Sequence, residues 1–407
     1  MRRRGFTLIE LMIASAIMAF AITAVTAILI SETKLYRSQN ARRQSQGSTR
    51  QALSFLEKAL RDASYGVDPG RAIIAFDSYN AAANAQGVNF PDALAIHQRD
   101  PRFSRIIPAG GAAANQLTIS PALTEPLRKG QILLALCAGA RVYSYAVVGT
   151  TAAAGNTTVQ LDTGAAPAES PVGAPGSAFR FRGEDPAAAV NITQACFNDG
   201  TAVLTKVDRL AFYVAAFDDD NNAGTPPVPY LMLHRGVDTN ADGVIDARDA
   251  TPMAAGVEQL QVAYVLNTID DTPPPILGVN AGIVPGYGGA WMSSVTPAPT
   301  WADPYTAPSR LTQHPANIRQ VRVTLVARGL QSQEGATGDD ESQLLAGTAL
   351  SNGTVPWRNL ENLGTPGGNP VLDPQGRGFA RSVFRIAVVP KNYLMRAQFL
   401  PTEAAGG

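Results

Sequence analysis

The chain has 407 residues, 45% of them hydrophobic, which is enough for two or three domains of ordinary size with buried cores. Lysine plus arginine equals aspartate plus glutamate at 33 residues each, so the formal net charge at pH 7 is zero. This balance excludes a chain-wide charge that would attract nucleic acid or an acidic substrate, and it leaves only local patches for such binding.

Residues 6–30 form an apolar run that contains a single charged side chain, Glu10. A helix rises about 1.5 Å per residue, so this run is long enough to cross a hydrocarbon core of about 30 Å. Arg2, Arg3 and Arg4 precede it, and the positive-inside rule keeps them in the cytoplasm and sends the rest of the chain across. A secretory signal has an apolar stretch of only about 7–15 residues, so the run predicts a membrane helix.

Glu10 is unusual, because a carboxylate within a membrane helix costs about 2.5–3.5 kcal/mol on insertion scales unless it has a partner. The surrounding segment RRRGFTLIELMIA resembles the type III signal of type IV pilins. This resemblance implies cleavage after Gly5 by a prepilin peptidase, N-methylation of Phe6, and pairing of Glu10 with the terminal amine of a neighbouring subunit. The four-residue offset agrees, since it puts Phe6 and Glu10 on one helix face. An ordinary signal anchor with a chance glutamate is the alternative.

Residues 31–65 continue the helix, because they contain many helix formers, one glycine and no proline. Apolar residues recur there at helical spacing and predict an amphipathic segment that packs on a globular head: Leu53, Leu56 and Leu60. Gly66 and Pro69 then predict the helix end. The predicted rod, from residue 6 to about residue 65, is roughly 90 Å long.

Residues 66–400 predict a β-rich head, because short runs of Val, Leu, Tyr and Thr alternate with Gly, Pro, Ala and Asn. No βαβ alternation occurs, which favours antiparallel pairing. Strands are predicted at 92–98, 115–120, 131–137, 140–149, 157–162, 177–182, 207–217, 229–235, 257–266, 318–328 and 382–390. Proline and glycine clusters predict loop insertions at 224–229, 272–275 and 296–308.

The predicted fold class is therefore α+β: a long N-terminal pilin-like helix packed on a mainly antiparallel β head with long loop insertions. Its predicted parts are a leader at 1–5, a membrane and polymerisation helix at 6–30, the amphipathic continuation at 31–65, the head at 66–400 and a flexible tail at 401–407. A split of the head near residue 186 into two sub-sheets is an alternative to one sheet system.

The head adds a second resemblance, to the PilW family of minor pilins. An Arg- and Gln-rich stretch after the membrane segment, the strands GVEQLQVAYVL and RQVRVTLVARG, and the closing RIAVVPKNYL are similar to that family in order and type. The resemblance implies a minor pilin that primes pilus assembly and lies near the tip with other minor and major pilins and a large adhesin. It also implies contact with an inner-membrane assembly platform, a periplasmic head before assembly, and then a place in the pilus at the cell surface, with roles in adhesion and twitching motility.

Residues 238–249, here named the acidic loop, read DTNADGVIDARD and match the EF-hand calcium pattern. Alternating acids bring carboxylates to one centre, and glycine at the sixth position permits the sharp turn. The expected Ca²⁺ ligands are Asp238, Asn240, Asp242, the Val244 carbonyl, Asp246 and Asp249. The last is Asp where EF-hands carry Glu, as in dockerin-like loops, and its shorter side chain predicts modest affinity. We expect a structural ion; a solvated turn is the alternative.

Cys137 and Cys196 are the two cysteines of the chain, and one disulfide between them is compatible with export, with two buried thiols as the alternative. His97, His234 and His314 are scattered, and no H-E-x-x-H, G-x-S-x-G, P-loop or C-x-x-C motif occurs. We therefore expect a protein that is not an enzyme.

Two other functions compete with the minor pilin. One is a minor pseudopilin of type II secretion, although such proteins are usually shorter. The other is a surface-binding or DNA-binding pilin. Nucleic acid is not the expected partner, because the charge is balanced and no basic, aromatic-laced stripe occurs.

Overall fold

The computed structural model has one long N-terminal helix followed by strands that pair in antiparallel sheets. This arrangement confirms the predicted α+β class. The residues that it describes are 7–67, 69–76, 79–86, 90–113, 115–136, 144–164, 167, 169–176, 179, 199–222, 227–266, 276–278, 318–329 and 381–392.

Helix α1 (Leu8–Asp62) has 55 residues, which is a length of about 83 Å at the standard rise. It begins with Thr7 as its N-cap and ends where Ala63 leaves helical backbone geometry with a ψ of 147°. Gly66 follows with a φ of +65°, a conformation that favours glycine and turns the chain back toward the head. A short helix, α2 (Pro69–Ala72), leads into the first strand.

Sixteen strands follow among the described residues. In chain order they are β1 (Ile73–Phe76), β2 (Tyr79–Asn80), β3 (Ala85–Gln86), β4 (Ala93–Ile107), β5 (Ala112–Ala113), β6 (Gln116–Thr118), β7 (Ile132–Leu136), β8 (Ser144–Val147), β9 (Thr158–Gln160), β10 (Ala202–Phe217), β11 (Val228–His234), β12 (Thr251–Ala255), β13 (Val257–Leu266), β14 (Ile276–Gly278), β15 (Ile318–Arg328) and β16 (Arg381–Val388).

The larger sheet has seven strands and is built around β10. One edge of β10 pairs with β4 from Ala202 to Phe212, with a bulge between Thr205 and Val207. Its other edge pairs with β7 over its first half and with β11 over its second half. Strands β1, β8 and β12 extend the sheet, and all of these pairings are antiparallel.

A second sheet has four strands in the order β14-β13-β15-β16, again antiparallel throughout. Gly256, with a φ of +79°, separates its first strand in the sequence, β13, from β12 of the larger sheet. The boundary between the two main sheets therefore lies at residue 256. It does not lie near residue 186, because β10 pairs with β4 across that point.

Predicted and observed strands agree best in the second sheet, where β13 and β15 have the predicted bounds. Strand β4 continues nine residues beyond its predicted end at residue 98, and β1 and β12 were not predicted. The predictions at 177–182, 272–275, 296–308 and 401–407 lie wholly or largely outside the described residues. Residues 224–226 also lie outside them, but β11 begins at Val228, so the loop predicted at 224–229 extends two residues too far.

One hydrophobic core joins the helix to both main sheets. The second half of α1 contributes Leu53, Leu56 and Leu60, all buried, and the sheets contribute residues of β4, β10, β11, β13 and β15. Asp92 also links the sheets: its Oδ2 accepts the Val262 N–H at 2.9 Å, and its own N–H donates to Leu260 O at 2.8 Å. Because the core spans the junction, the helix end and the two sheets form one packed body.

Candidate functional sites on the helix and in the acidic loop

The first half of α1 presents apolar side chains to its surroundings on every side. From Leu8 to Tyr36 the helix is long and apolar enough to cross a membrane, and none of its most apolar stretch is buried. Leu8 is 77% exposed and Phe20 is 79% exposed. Apolar surface on this scale needs lipid or other helices to cover it.

Thr7 and Glu10 close the N-terminus of this helix in a capping box. The Thr7 hydroxyl accepts the Glu10 N–H at 3.3 Å, and Glu10 Oε2 accepts the Thr7 N–H and hydroxyl, both at 2.9 Å. The T-x-x-E pattern carries the signal for this box, which our sequence analysis missed. The Glu10 carboxylate is exposed and bonded within its own helix. Gly5 and Phe6 lie outside the described residues, as do Cys137 and Cys196.

The second half of α1 is fastened to the head by side chains from distant strands. Phe55 contacts Phe212 of β10 edge to face, with ring centroids 6.1 Å apart. Gln46 Nε2 donates to Ser382 Oγ at 3.1 Å. Asn392 Nδ2 donates to the carbonyl of Ala63 at 3.0 Å, which satisfies one of the acceptors that a helix C-terminus leaves open. The same helix is therefore uncovered at one end and locked to the head at the other.

The acidic loop connects β11 to β12 and folds around the buried Asp238. Asp238 Oδ2 accepts the Gly243 N–H at 2.9 Å, and Gly243 has the φ of +83° that makes this turn possible. Asn240 Oδ1 accepts the Asp242 N–H at 3.0 Å, and Asp242 Oδ1 accepts the Val244 N–H at 2.8 Å. Successive polar side chains thus bend back over the loop backbone.

Asp249 connects the two ends of the acidic loop through hydrogen bonds. Its Oδ1 accepts the Thr239 N–H at 2.6 Å and the Asn240 N–H at 3.2 Å, and its Oδ2 accepts the Asp246 N–H at 3.0 Å. Burial alone would raise the pKa of Asp249, but the hydrogen bonds from the backbone of Asp246 and Thr239 outweigh it and hold the pKa below its ordinary value. The carboxylate is therefore ionised and fully used by the loop itself.

Three cations surround the acidic loop. Arg248 NH2 lies 2.9 Å from Asp242 Oδ2 and 2.7 Å from Asp246 Oδ2. Arg128 NH1 donates to the Thr239 carbonyl at 2.6 Å, and Lys129 Nζ donates to the Gly243 carbonyl at 2.6 Å. No local pattern predicts that Arg128 and Lys129 meet the loop, since they lie more than 100 residues before it in the chain.

His234 supports the loop from β11. Its Nδ1 accepts the Gly236 N–H at 2.8 Å, so Nε2 carries the proton and donates to the Asp246 carbonyl at 2.8 Å. Burial lowers the pKa of His234, which keeps this arrangement neutral. His234 positions the backbone at Asp246.

The predicted calcium ligands are thus close in the chain, and their carboxylates are engaged with other partners except for Asp238 Oδ1, which has no hydrogen-bond partner within the described residues. Within the described ranges, no group of three or more His, Cys, Asp or Glu side chains is arranged so that it could hold a metal ion. Asp242 and Asp246 face Arg248, and Asp249 faces the loop backbone. Calcium stays a prediction from the loop pattern.

A polar cleft of about 400 Å³ adjoins the acidic loop, and Lys206, Asp208 and Arg209 are among its lining residues. Lys206 Nζ lies 2.7 Å from Asp100 Oδ2. Arg209 NH1 lies 2.6 Å from Glu169 Oε1 in a pair that is almost completely buried. Burial raises the pKa of Asp208. Lys206 and Arg209 are thus paired with carboxylates, and two more cations, Arg128 and Arg235, also line the cleft, so its lining is more basic than acidic.

Two family models match the chain. Residues 1–26 match the prokaryotic N-terminal methylation motif, and residues 211–392 match the type IV pilus-assembly protein W family, PilW. Comparison with curated proteins and with solved structures gave no match. The first match covers the start of the uncovered helix, and the second runs from the middle of β10 through the acidic loop to four residues beyond the end of β16. Both resemblances inferred from the sequence are confirmed.

Proposed function

We propose that this chain, whose two matches support a type IV pilus-related minor pilin or assembly factor, is a minor pilin that is built into the pilus through α1. The observation that carries the proposal is the division of α1. Its first half is apolar and uncovered from Leu8 to Tyr36, whereas its second half is buried against the head. A helix of this kind serves as an anchor for a displayed head.

The apolar half needs a different cover at each stage. Before assembly, the lipid bilayer covers the side chains, because the segment matches the thickness of a hydrocarbon core. After assembly, the equivalent helices of neighbouring pilins replace the lipid, since apolar helices pack closely through dispersion contacts. The exposed carboxylate of Glu10 then pairs with the methylated amine of a neighbour, which offsets the cost of placing it among apolar helices.

The same segment gives the topology of the protein. Arg2, Arg3 and Arg4 stay in the cytoplasm, where a prepilin peptidase cuts after Gly5, and the head lies in the periplasm. The membrane-like helix and the methylation motif support membrane anchoring and pilus association. The inner-membrane assembly platform then moves the mature chain into the pilus, and the head reaches the cell surface.

A priming role near the tip fits the size of the head. The two main sheets form one packed body around the helix end. Subunits in a helical filament repeat a head-to-tail contact, and a bulky head is accommodated most easily where the repeat begins. The partners in this position are other minor pilins, the first major pilin and a tip adhesin. This role is one of assembly and not of catalysis.

Deletion of the gene in its native host tests the proposal. We expect few or no surface pili by electron microscopy, with pili restored by the wild-type gene, and we expect peptides of the chain in the sheared pilus fraction. Normal pili together with a defect in protein secretion would instead identify a type II pseudopilin. Normal pili without the chain in the pilus fraction, and without a secretion defect, would refute both.

A further inference from the structure

We propose that the acidic loop binds one Ca²⁺ ion and that Asp238 is its first ligand. Asp238 is only 4% exposed, and its Oδ1 has no hydrogen-bond partner within the described part of the chain. Its Oδ2 accepts the Gly243 N–H, which turns the carboxylate into the loop. A buried carboxylate oxygen without a donor is costly, and a cation beside it removes that cost.

The loop supplies further oxygens around the same carboxylate. Asn240 and Asp242 follow at alternate positions, and their side chains already bend back over the loop through bonds to the Asp242 and Val244 N–H groups. Each keeps lone pairs for an ion, because an oxygen that accepts one N–H has a second acceptor site. The Val244 carbonyl and Asp246 complete the protein donors, with water filling the remaining positions, as calcium sites allow.

Asp249 takes a different role from the one that the loop pattern predicts. Its two oxygens accept N–H groups from Thr239, Asn240 and Asp246, so it closes the loop and is not available for bidentate ligation. It is a positioning residue. The loss of two ligand oxygens predicts weak binding, with a dissociation constant of roughly 0.1–1 mM, the range of extracellular calcium modules.

The Arg248 guanidinium occupies the position between Asp242 and Asp246 that the ion would take. Its guanidinium bridges the two carboxylates, but its side chain is 65% exposed. Ion pairs this exposed contribute little net stability, so the arginine can swing into solvent at small cost. A divalent ion concentrates twice the charge at the same point and also reaches the buried oxygen of Asp238, which Arg248 leaves unpaired.

The donor set favours calcium over other metals. Every proposed donor is oxygen, which suits Ca²⁺ and Mg²⁺ and does not suit zinc or copper. Mg²⁺ requires near-ideal octahedral geometry and gives up its water reluctantly, whereas Ca²⁺ accepts irregular sites. His234 does not compete as a ligand, because its Nε2 donates to the Asp246 carbonyl.

Calcium binding at the acidic loop would also stabilise the structure that contacts the loop. Arg128 and Lys129 donate to loop carbonyls, and the Asp238 N–H donates to the Lys129 carbonyl at 3.0 Å. These bonds fasten the loop to the turn before β7, so an ion that fixes the loop also stabilises its contact with the larger sheet. Binding should therefore raise the melting temperature of the head.

Calorimetric titration of the detergent-solubilised full-length protein with CaCl₂, after treatment with a chelator, tests the proposal. We expect binding in the stated range, and a rise in melting temperature of about 3 °C at ten times the dissociation constant. MgCl₂ should bind at least tenfold more weakly. Asp238→Asn should weaken calcium binding at least tenfold, whereas Asp220→Asn, which alters an exposed acid in a turn before β11, should leave it unchanged.

Arg248→Gln is the decisive variant, because the Arg248 side chain is exposed and its replacement should not prevent folding. If an ion displaces the guanidinium, removing it should tighten calcium binding by about three- to tenfold. Wild-type and Arg248→Gln proteins without calcium-dependent heat or melting shift would overturn the proposal, and so would unchanged binding in Asp238→Asn. The measurement uses isolated protein, so either failure leaves the pilus assignment untouched.

Discussion

Phe55 of helix α1 and Phe212 of strand β10 meet edge to face, with ring centroids 6.1 Å apart and ring planes inclined by 61°. This contact places the helix against the middle of the central strand, where β4 and β11 flank it on either side. Leu56, beside Phe55 in the chain, is completely buried in the same core. The helix is therefore part of the head's core, and weakening the contact should weaken the whole head.

Leu56→Ala should lower the free energy of unfolding by about 2–5 kcal/mol, because it removes buried methyl groups and leaves a cavity. Gln51→Ala, at an exposed position of the same helix, should change it by less than about 0.5 kcal/mol. Urea unfolding of the full-length protein in detergent measures both. Equal effects would mean that the helix does not share the core of the head.

The buried pair of Glu169 and Arg209 should behave as a unit. Glu169→Gln leaves the guanidinium of Arg209 without its counter-charge, and this should cost about 3–5 kcal/mol. Adding Arg209→Met removes the stranded charge, so the double variant should lose less than the sum of the two single variants. Additive losses would show that the two side chains do not interact.

Two glycines with the same positive φ should respond differently to substitution by alanine. Gly130 and Gly155 both have a φ of +88°. A Cβ at Gly130 would overlap the Gly236 carbonyl and the Ile245 side chain, whereas a Cβ at Gly155 meets nothing within 4 Å.

Gly155→Ala should therefore lower the free energy of unfolding by only about 1–2 kcal/mol, which is the cost of a left-handed backbone conformation for a residue with a Cβ. Gly130→Ala should cost at least about 2 kcal/mol more, because it forces the acidic loop away from the turn before β7. Thermal unfolding of both variants checks the difference, and a similar cost for the two would place the loop elsewhere.

His97 should make stability depend on pH. Burial lowers its pKa well below the ordinary value, and the charge of the nearby Arg209 lowers it further. The unfolded chain therefore takes up the proton first as the pH falls below about 6.5, so stability is complete above that pH. Below that pH, His97 should lower the free energy of unfolding by about 1.4 kcal/mol per pH unit until its folded-state pKa is reached.

His234 is also buried with a lowered pKa and adds a contribution of the same sign. His97→Phe, which keeps a ring against Phe179, should therefore reduce the slope between pH 6.5 and 5 by about one proton without removing it. Chemical unfolding across this range measures the slope. An unchanged slope in the variant would mean that His97 is accessible to protons in the folded state.

Incorporation of the chain into pili should require Glu10 and should not require Glu32. Glu10→Gln removes the charge that we propose pairs with the terminal amine of a neighbour, whereas Glu32→Gln makes the same chemical change later on the same helix. Immunoblots of sheared pili should detect the Glu32 variant and lose most of the Glu10 variant, with both present in the membrane. Equal incorporation would remove the assembly role of Glu10.

The sequence predicted local elements well and distant partnerships poorly. Strands β13 and β15 were predicted with their observed bounds, because β-branched residues and a period of two are local signals. Strand β4 was cut short at residue 98, because Asp100 and Pro101 are typical of a loop, yet pairing with β10 carries the strand on to Ile107.

In the candidate sites, too, local features were predictable from the sequence and contacts between distant residues were not. The acidic loop was found because its twelve residues are contiguous. Its contacts with Arg128 and Lys129, and the pairing of Glu169 with Arg209, join residues far apart in the chain, and no local pattern predicts them. The capping box of Thr7 and Glu10 is local, and the T-x-x-E spacing could have predicted it, although we did not predict it.

Mass spectrometry of the N-terminal peptide from sheared, purified pili tests the central claim most directly. We expect the chain to be present in this fraction and to begin at Phe6 with one added methyl group on its amine. A chain that is found only in the membrane fraction, or that begins at any other residue, would contradict assembly through the N-terminal helix.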